Sequence, residues 1–249
     1  MTTASRRALH VMELGRQPYG PVLELQRTLC RKRMGGEITE DLLLLVEHEP
    51  VVTLGRGTRA TSLPLAAEAM TRQGYEVVEV ERGGDVTVHE PGQLVGYPIL
   101  NLLDHRADLH WYLRQLEEVL ITSLGVLGIA GERNPGLTGV WTQGRKIASL
   151  GIHVKQWITF HGFALNVVND LHGFRLVVPC GIDGVIMTNV ARELGDGRDP
   201  RDVWALTRAS VIDAMGAVFD REPQPAAVGQ FLAGEDAALF TPPQGATYA

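Results

Sequence analysis

Between Val140 and Val168 three strand-like stretches follow one another with almost no chain between them. Residues 140–142, 146–154 and 157–168 are rich in β-branched and aromatic side chains and are separated only by short polar turns. That pattern predicts a meander within one sheet. Just upstream, residues 108–127 carry Leu109, Leu113, Leu116, Leu120 and Leu124 at intervals of three or four. Such spacing gives an amphipathic helix with one face committed to a core. Strand-like segments at 8–14, 42–47, 51–54, 75–81, 86–89 and 93–100 precede it. Helices are expected at 21–34, with Val22, Leu25 and Leu29 on one face, and at 65–73, entered by Pro64. Another is expected at 200–219, with Asp199 as N-cap and Pro200 in the first turn. Strands in mixed order with about four helices predict an α/β (α+β) single domain with one mixed β-sheet flanked by helices. The domain is expected to end near residue 220. Residues 221–249 hold Pro223, Pro225, Pro242, Pro243 and many Ala and Gly, and read as a loosely ordered C-terminal tail with one short helix near 227–233.

Composition narrows the function classes. The 249 residues carry 23 Lys+Arg against 29 Asp+Glu, a net charge of −6, which argues against a nucleic-acid surface. A hydrophobic share of 45% suits a buried core rather than disorder. Cys30 and Cys180 are far apart and form no CxxC, so neither a disulfide framework nor a cysteine-rich zinc site is expected. Residues 1–20 lack the apolar stretch of a secretory signal, and no run approaches the ~20 residues of a membrane span. A cytoplasmic location without membrane contact is therefore expected.

Few residues can carry chemistry. Cys180 follows an apolar run and precedes Gly181, a setting that can expose a nucleophile at a strand end; a buried structural cysteine is the alternative. Cys30, beside Arg31 and Lys32 on the first helix, reads as structural. Alternation places Lys146 on one face with Ala148, Leu150, Ile152 and Val154. A lysine so placed is partly desolvated and suited to act as a base or to pair with a thiolate, unless it snorkels to water. His161 shares a face with Phe163, Leu165 and Val167 by the same alternation. No HExxH pair exists, and the loop-like run from Gly139 places Arg145 where a phosphate-binding loop needs lysine. Arg82-Gly83-Gly84 is a basic turn that could approach a ligand. No Gly-x-Ser-x-Gly elbow occurs.

Three blocks in fixed order, Arg82–Ile99, then Gly139–Trp141 with Lys146–Ile152 and His161–Val167, then Pro179–Ile182, resemble the signature of the lipoyl/octanoyl transferases of lipoate biosynthesis. The resemblance runs over roughly residues 8–220. It implies the catalytic-domain fold of biotin and lipoate protein ligases. It implies transfer of an octanoyl group from octanoyl-acyl-carrier protein to a lysine ε-amine. The acceptors would be lipoyl domains of the E2 subunits of 2-oxoacid dehydrogenases and the glycine cleavage H protein. Cys180 falls on the acyl-thioester nucleophile and Lys146 on its acid/base partner. Arg82, Gly83, Gly84, Asp85, Val86, Thr87, Val88 and His89 fall on a substrate-binding segment. So do Ser149, Leu150 and Gly151, and His161, Gly162, Phe163 and Ala164. Backbone N–H groups near Cys180 or residues 149–151 are expected to hold the oxyanion. No resident cofactor, metal or ATP is implied, and nothing demands more than a monomer. Because acyl-carrier and lipoyl domains are commonly acidic, a basic docking face is expected from Arg56, Arg59, Arg82 and Arg145. Two positions depart from the family: Glu90 stands where Gly usually follows the His, and Thr188-Asn189-Val190 replaces Thr-Ser-Leu. An ATP-dependent ligase on the same fold and a non-catalytic acyl- or carrier-binding module are the competing readings.

Overall fold

The computed structural model describes residues 6–178, 184–195, 197–233 and 240. Its elements run β1 (Arg7–Gln17), α1 (Tyr19–Met34), β2 (Asp41–His48), β3 (Val51–Leu54), α2 (Ala67–Arg72), β4 (Glu76–Glu79), β5 (Val86–His89) and β6 (Gln93–Ile99). Then follow α3 (Leu109–Val126), β7 (Val140–Thr142), β8 (Arg145–Lys155), β9 (Ile158–Asn166), α4 (Val190–Leu194), α5 (Pro200–Phe219) and β10 (Arg221–Pro225).

A seven-stranded mixed sheet has the order β10-β1-β2-β6-β9-β8-β7. The expected meander is its β9-β8-β7 half, antiparallel throughout. The mixed sheet flanked by helices is thus present, but it does not hold every strand. β4, β3 and β5 form a separate three-stranded sheet. The short connection Glu90–Gly92 therefore does not close a hairpin between β5 and β6: it crosses from one sheet to the other.

Side-chain alternation splits the large sheet into two apolar faces. Leu43, Leu45, Leu94, Phe163 and Leu165 pack against Tyr112, Leu116, Leu120 and Leu124 of α3 and Val211, Met215 and Phe219 of α5. The opposite face, with Leu42, Leu44, Val46 and Val95, is covered by Val22, Leu25, Leu29 and Cys30 of α1. Each such fully buried aliphatic side chain contributes about 1.5–3 kcal/mol relative to exposure. Cys30 is a core residue here, and burial pushes its thiol up to about 11, so it is protonated at neutral pH.

The helix ends follow their sequence signals. Asp108 caps α3 by accepting from the N–H groups of His110 and Trp111. Asp199 accepts from the Arg201 N–H, with Pro200 opening α5. Residues 221–225, expected in a loose tail, instead form an edge strand parallel to β1, with Pro223 opposite Leu9 and Pro225 opposite Val11. An edge strand tolerates prolines because one of its rims needs no donors. The short helix expected near 227–233 is a single 3-10 turn at Val228–Gln230. Buried charge ties this strand in: Asp41 receives Arg33, Arg221 and His105, each at 2.8 Å. Among the described residues no helix is long and apolar enough to cross a membrane.

Candidate active site

A cavity of about 220 Å³ opens between the two sheets at the β8–β9 end of the large one. Its floor is a run of small side chains. Ser149 and Gly151 of β8 stand opposite Ala164 and Gly162 of β9 in register. The short side chains leave a slot above the strands instead of a packed surface. Gly162 cannot be larger, because a Cβ there would lie 2.3 Å from the Gly96 carbonyl oxygen.

The wall comes from the segment after β4. Arg82 is buried, and its guanidinium donates to the Thr53 carbonyl at 2.7 Å, to Thr53 Oγ1 at 2.8 Å and to the Asp85 carbonyl at 2.6 Å. These bonds spread the charge over backbone oxygens and hold the loop in shape. Arg82 is therefore not part of an exposed docking face. Arg145 does not offer a free charge to such a face either: it is half-buried and pairs with Glu193 at 2.8 Å. Arg56 and Arg59 are exposed.

Of the residues expected at the substrate site, Arg82, Gly84, Asp85, Val86, Thr87 and His89 line the cavity. Ser149, Leu150, Gly151, His161, Gly162, Phe163, Ala164 and Lys146 line it too. Two do not. Gly83 instead donates its N–H to the Ile152 carbonyl at 2.8 Å, tying the loop to β8. Val88 faces the core under the small sheet, with Val52, Met70 and Phe174.

Lys146 is 1% exposed, so it does not snorkel. Its Nζ lies 3.4 Å from the Thr138 carbonyl and 5.0 Å from the centroid of the Trp141 ring. Gly139 makes room for it, since a Cβ at that position would lie 2.9 Å from Lys146 Cε. The backbone is held as well: the Lys146 N–H donates to Ile186 at 2.8 Å and its carbonyl accepts from Thr188 at 2.9 Å. Cys180, with Pro179, Gly181 and Ile182, lies outside the described residues.

Tyr19, Val95, Tyr97, Gly136, Leu137 and Thr138 also line the cavity, beyond the residues that the sequence singles out. Tyr97 sits within the first signature block, two residues after Val95 on the same strand face. Tyr19 opens α1, and no local pattern marks it. The far wall is a stack of rings. Tyr19 lies parallel to His89 at 5.8 Å between centroids, and the His48 edge meets His89 at 5.7 Å. Tyr97 OH and His48 Nε2 are 2.8 Å apart. Burial holds His48 down to about 4 and pushes Tyr19 up to about 12, so these rings are neutral at pH 7. Burial likewise holds His89 well below its usual range. Gln93 uses its amide N–H groups on the Val88 carbonyl and Asn166, so its oxygen accepts from His89 Nδ1 at 2.8 Å.

His161 departs from the expected alternation. Its φ of +56° turns the ring away from Phe163, Leu165 and Val167 and toward Phe160 and Tyr97. The Gln26 side chain fixes this turn by accepting the His161 N–H at 2.9 Å. The imidazole is 1% exposed, and Glu81 Oε2 approaches its Nε2 only to 3.8 Å. Burial lowers its pKa despite that carboxylate. Among the described residues no cluster of three or more His, Cys, Asp or Glu is placed to hold a metal ion.

The chain belongs to the lipoyl protein ligase A/B catalytic domain family, which matches residues 18–219. Curated octanoyltransferases are among its relatives. It is 48% identical to the octanoyltransferase of Nostoc sp. (strain PCC 7120) over 208 residues, covering 84% of this chain and 90% of that one. It is 45% identical to the octanoyltransferase of Synechococcus elongatus over 232 residues, covering 93% and 96%. The fold matches lipoate-protein ligase A bound with ATP at a TM-score of 0.69, with 14% identity over 94% of this chain and 92% of that one. It also matches, at a TM-score of 0.70, a chain from the structural analysis of an archaeal lipoylation system, a bi-partite lipoate protein ligase and its E2 lipoyl domain from Thermoplasma acidophilum, with 15% identity over 95% of this chain and 91% of that one.

Proposed function

We propose that this acyltransferase moves an octanoyl chain from acyl-carrier protein to the lysine ε-amine of lipoyl domains, through a thioester on Cys180 with Lys146 as its proton carrier. Octanoyl transfer itself follows from the family and its curated relatives. The observation that carries the rest is the burial of Lys146 in the wall of the cavity, with its backbone bonded to Ile186 and Thr188 a few residues beyond Cys180.

The chemistry needs no activation by ATP, because the donor is already a thioester. The Cys180 thiolate attacks the carbonyl carbon of the donor. The carrier's thiolate leaves with a proton from the Lys146 ammonium, and one thioester has replaced another. The acceptor amine then attacks the acyl-enzyme. Neutral Lys146 takes the proton that the amine sheds, the amide forms, and the Cys180 thiolate is restored. In a water-poor site the ammonium stabilises the thiolate more than it would in bulk solvent. The slot over Ser149, Gly151, Gly162 and Ala164 receives the acyl chain. At ~0.8 kcal/mol per buried CH2, an eight-carbon chain gains several kcal/mol there.

The donor's carrier is expected to dock at exposed Arg56 and Arg59, whose loop meets the cavity wall where the Gly57 N–H donates to Gly84 at 2.9 Å. We assign the reaction to a monomer in the cytoplasm. The test is intact mass after mixing the protein with octanoyl-acyl-carrier protein. One added octanoyl group is expected, absent in Cys180→Ser. A wild type that stays unmodified overturns the acyl-enzyme. Lipoyl-domain modification from free octanoate and ATP would instead support a ligase.

A further inference from the structure

Glu117 of α3 is 1% exposed, and it stands behind the cavity rather than in its lining. Its Oε2 accepts from Arg114 Nη1 at 2.6 Å and from Arg133 Nε at 3.1 Å. Its Oε1 accepts from the Gly139 N–H at 3.2 Å. The two guanidinium groups meet the charge of the carboxylate. The bond to Gly139 is a separate use of the same group, and bonds to a charged acceptor are the stronger kind.

These contacts grip both ends of one excursion of the chain. Glu132 and Trp141 pair through two backbone bonds, the N–H of each donating to the carbonyl of the other, at 2.8 and 2.9 Å. Between them the chain swings out along the cavity, which Gly136, Leu137 and Thr138 line. Arg133 begins the excursion and Gly139 returns from it, so Glu117 ties its start to its end. The middle lies open to solvent. Pro135, Gly136 and Thr138 are exposed, and the Leu137 N–H closes a turn onto the Asn134 carbonyl at 3.0 Å.

The returning end meets Lys146. Gly139 has a φ of +138°, and a Cβ there would lie 2.9 Å from Lys146 Cε and 2.8 Å from the Ala148 carbonyl oxygen. The Thr138 carbonyl accepts from Lys146 Nζ at 3.4 Å. The Thr138 carbonyl and the Gly139 N–H are the two ends of one peptide group. That group is planar, so fixing its N–H fixes the direction of its carbonyl. The bonds on its two sides also polarise one another.

We propose that Glu117 is a positioning residue for Lys146: it orients the peptide between Thr138 and Gly139 so that the Thr138 carbonyl holds the lysine Nζ at the cavity wall. This rests on the acid/base role of Lys146 proposed above. A released peptide is free to turn its carbonyl away, and the amine then loses a fixed place from which to give and take protons.

The test separates the reach of the carboxylate from its charge. Glu117→Asp keeps the charge for Arg114 and Arg133 but draws the oxygen back from Gly139. Glu117→Gln keeps the reach, with an amide oxygen for the Gly139 N–H, and gives up the charge. Octanoyl transfer from octanoyl-acyl-carrier protein to a lipoyl domain is measured for each. Glu117→Asp is expected to lower kcat about tenfold with donor KM changed less than about twofold. Glu117→Gln should stay within about threefold of wild type in kcat, even where its thermal midpoint falls further. Wild-type kcat in Glu117→Asp overturns the proposal, and so does a Glu117→Gln that is the slower of the two. The same Asp substitution is then placed in a Lys146→Ala background. With no amine left to place, it should cost less than about twofold there, whereas independent damage would multiply the two losses. A further loss above about threefold in that background overturns the proposal. Lys146→Ala by itself separates the two levels. If it transfers at the wild-type rate, the acid/base assignment fails and this proposal with it. If it is impaired and the Glu117 loss persists in it, only this proposal fails.

Discussion

Lys146 and Met187 form a parallel β-bridge that joins β8 to the segment leading into α4. The Lys146 side chain and the return path of the Cys180 connection are therefore placed by the same stretch of backbone. Removing the amine should leave this bridge intact, because only main-chain atoms make it. Lys146→Ala is expected to fold and to lose octanoyl transfer by roughly 10²–10⁴-fold, the range for a positioned acid/base. Lys146→Arg should fare no better, since guanidinium does not deprotonate. Steady-state transfer to a lipoyl domain checks both, and an active Lys146→Ala would remove this residue from the mechanism.

Chain-length preference should follow the width of the floor. Ala164 is buried beside Val95 across β6 and β9 and lines the cavity. Ala164→Val adds two methyl groups to the slot. The variant is expected to favour six-carbon over eight-carbon donors. Each CH2 denied burial forfeits ~0.8 kcal/mol, about fourfold in kcat/KM. Competition between hexanoyl- and octanoyl-carrier protein measures the shift, and an unchanged ratio would place the acyl chain elsewhere.

Stability should fall in mild acid. Burial lowers His48 from its ordinary 6.5 to about 4. Above the ordinary value the ring is neutral folded or unfolded, and nothing is lost. As pH falls below it, the unfolded chain takes the proton while the folded chain refuses it. The cost grows until the folded value is passed, reaching ~3 kcal/mol from this ring. His89 and His161 shift in the same direction. Urea midpoints at pH 7, 5.5 and 4.5 should decline steadily, and His48→Gln should reduce the slope.

Docking should depend on Arg56 and Arg59. Reversing both charges to Glu is expected to raise the donor KM several-fold at low salt, with kcat nearly unchanged, because rim charges act mainly on encounter. The difference should shrink at high ionic strength. Equal KM values for variant and wild type would move the carrier to another face.

Asp41 is the charge that binds β10 to the domain. Burial opposes its ionisation, yet the hydrogen bond from His105 and the charges of His105, Arg221 and Arg33 outweigh this and hold its pKa down. Asp41→Asn leaves two buried guanidinium groups facing a neutral amide. The expected loss is about 3–5 kcal/mol, read from chemical denaturation.

The elements themselves were largely legible from sequence, because a period of two or of 3.6 is written locally. The five leucines of α3 and the alternation along β8 needed no tertiary information. Sheet membership was not legible: β5 and β6 look like a hairpin around Pro91-Gly92, and only their distant partners β3 and β2 separate them. At the site, the motif blocks hold most of the cavity lining, whereas strict alternation puts His161 on the wrong face. Its positive φ depends on Gln26, more than a hundred residues away, and alternation assumes regular backbone. Tyr19 carries no local signal, since its place in the wall comes from stacking on His89, seventy residues away. β10 was hidden by its prolines, which count against a strand everywhere except at an edge.

The pairing of β1 with β10 has a consequence for how the protein is made. Arg7 lies opposite Arg221, so the first strand waits for almost the last. A ribosome must release residues 221–225 before that edge can form, and Asp41 must hold its charge with one guanidinium missing until then. Contacts of such sequence separation form slowly. The nascent chain therefore carries an open rim on β1 until residues 221–225 have emerged.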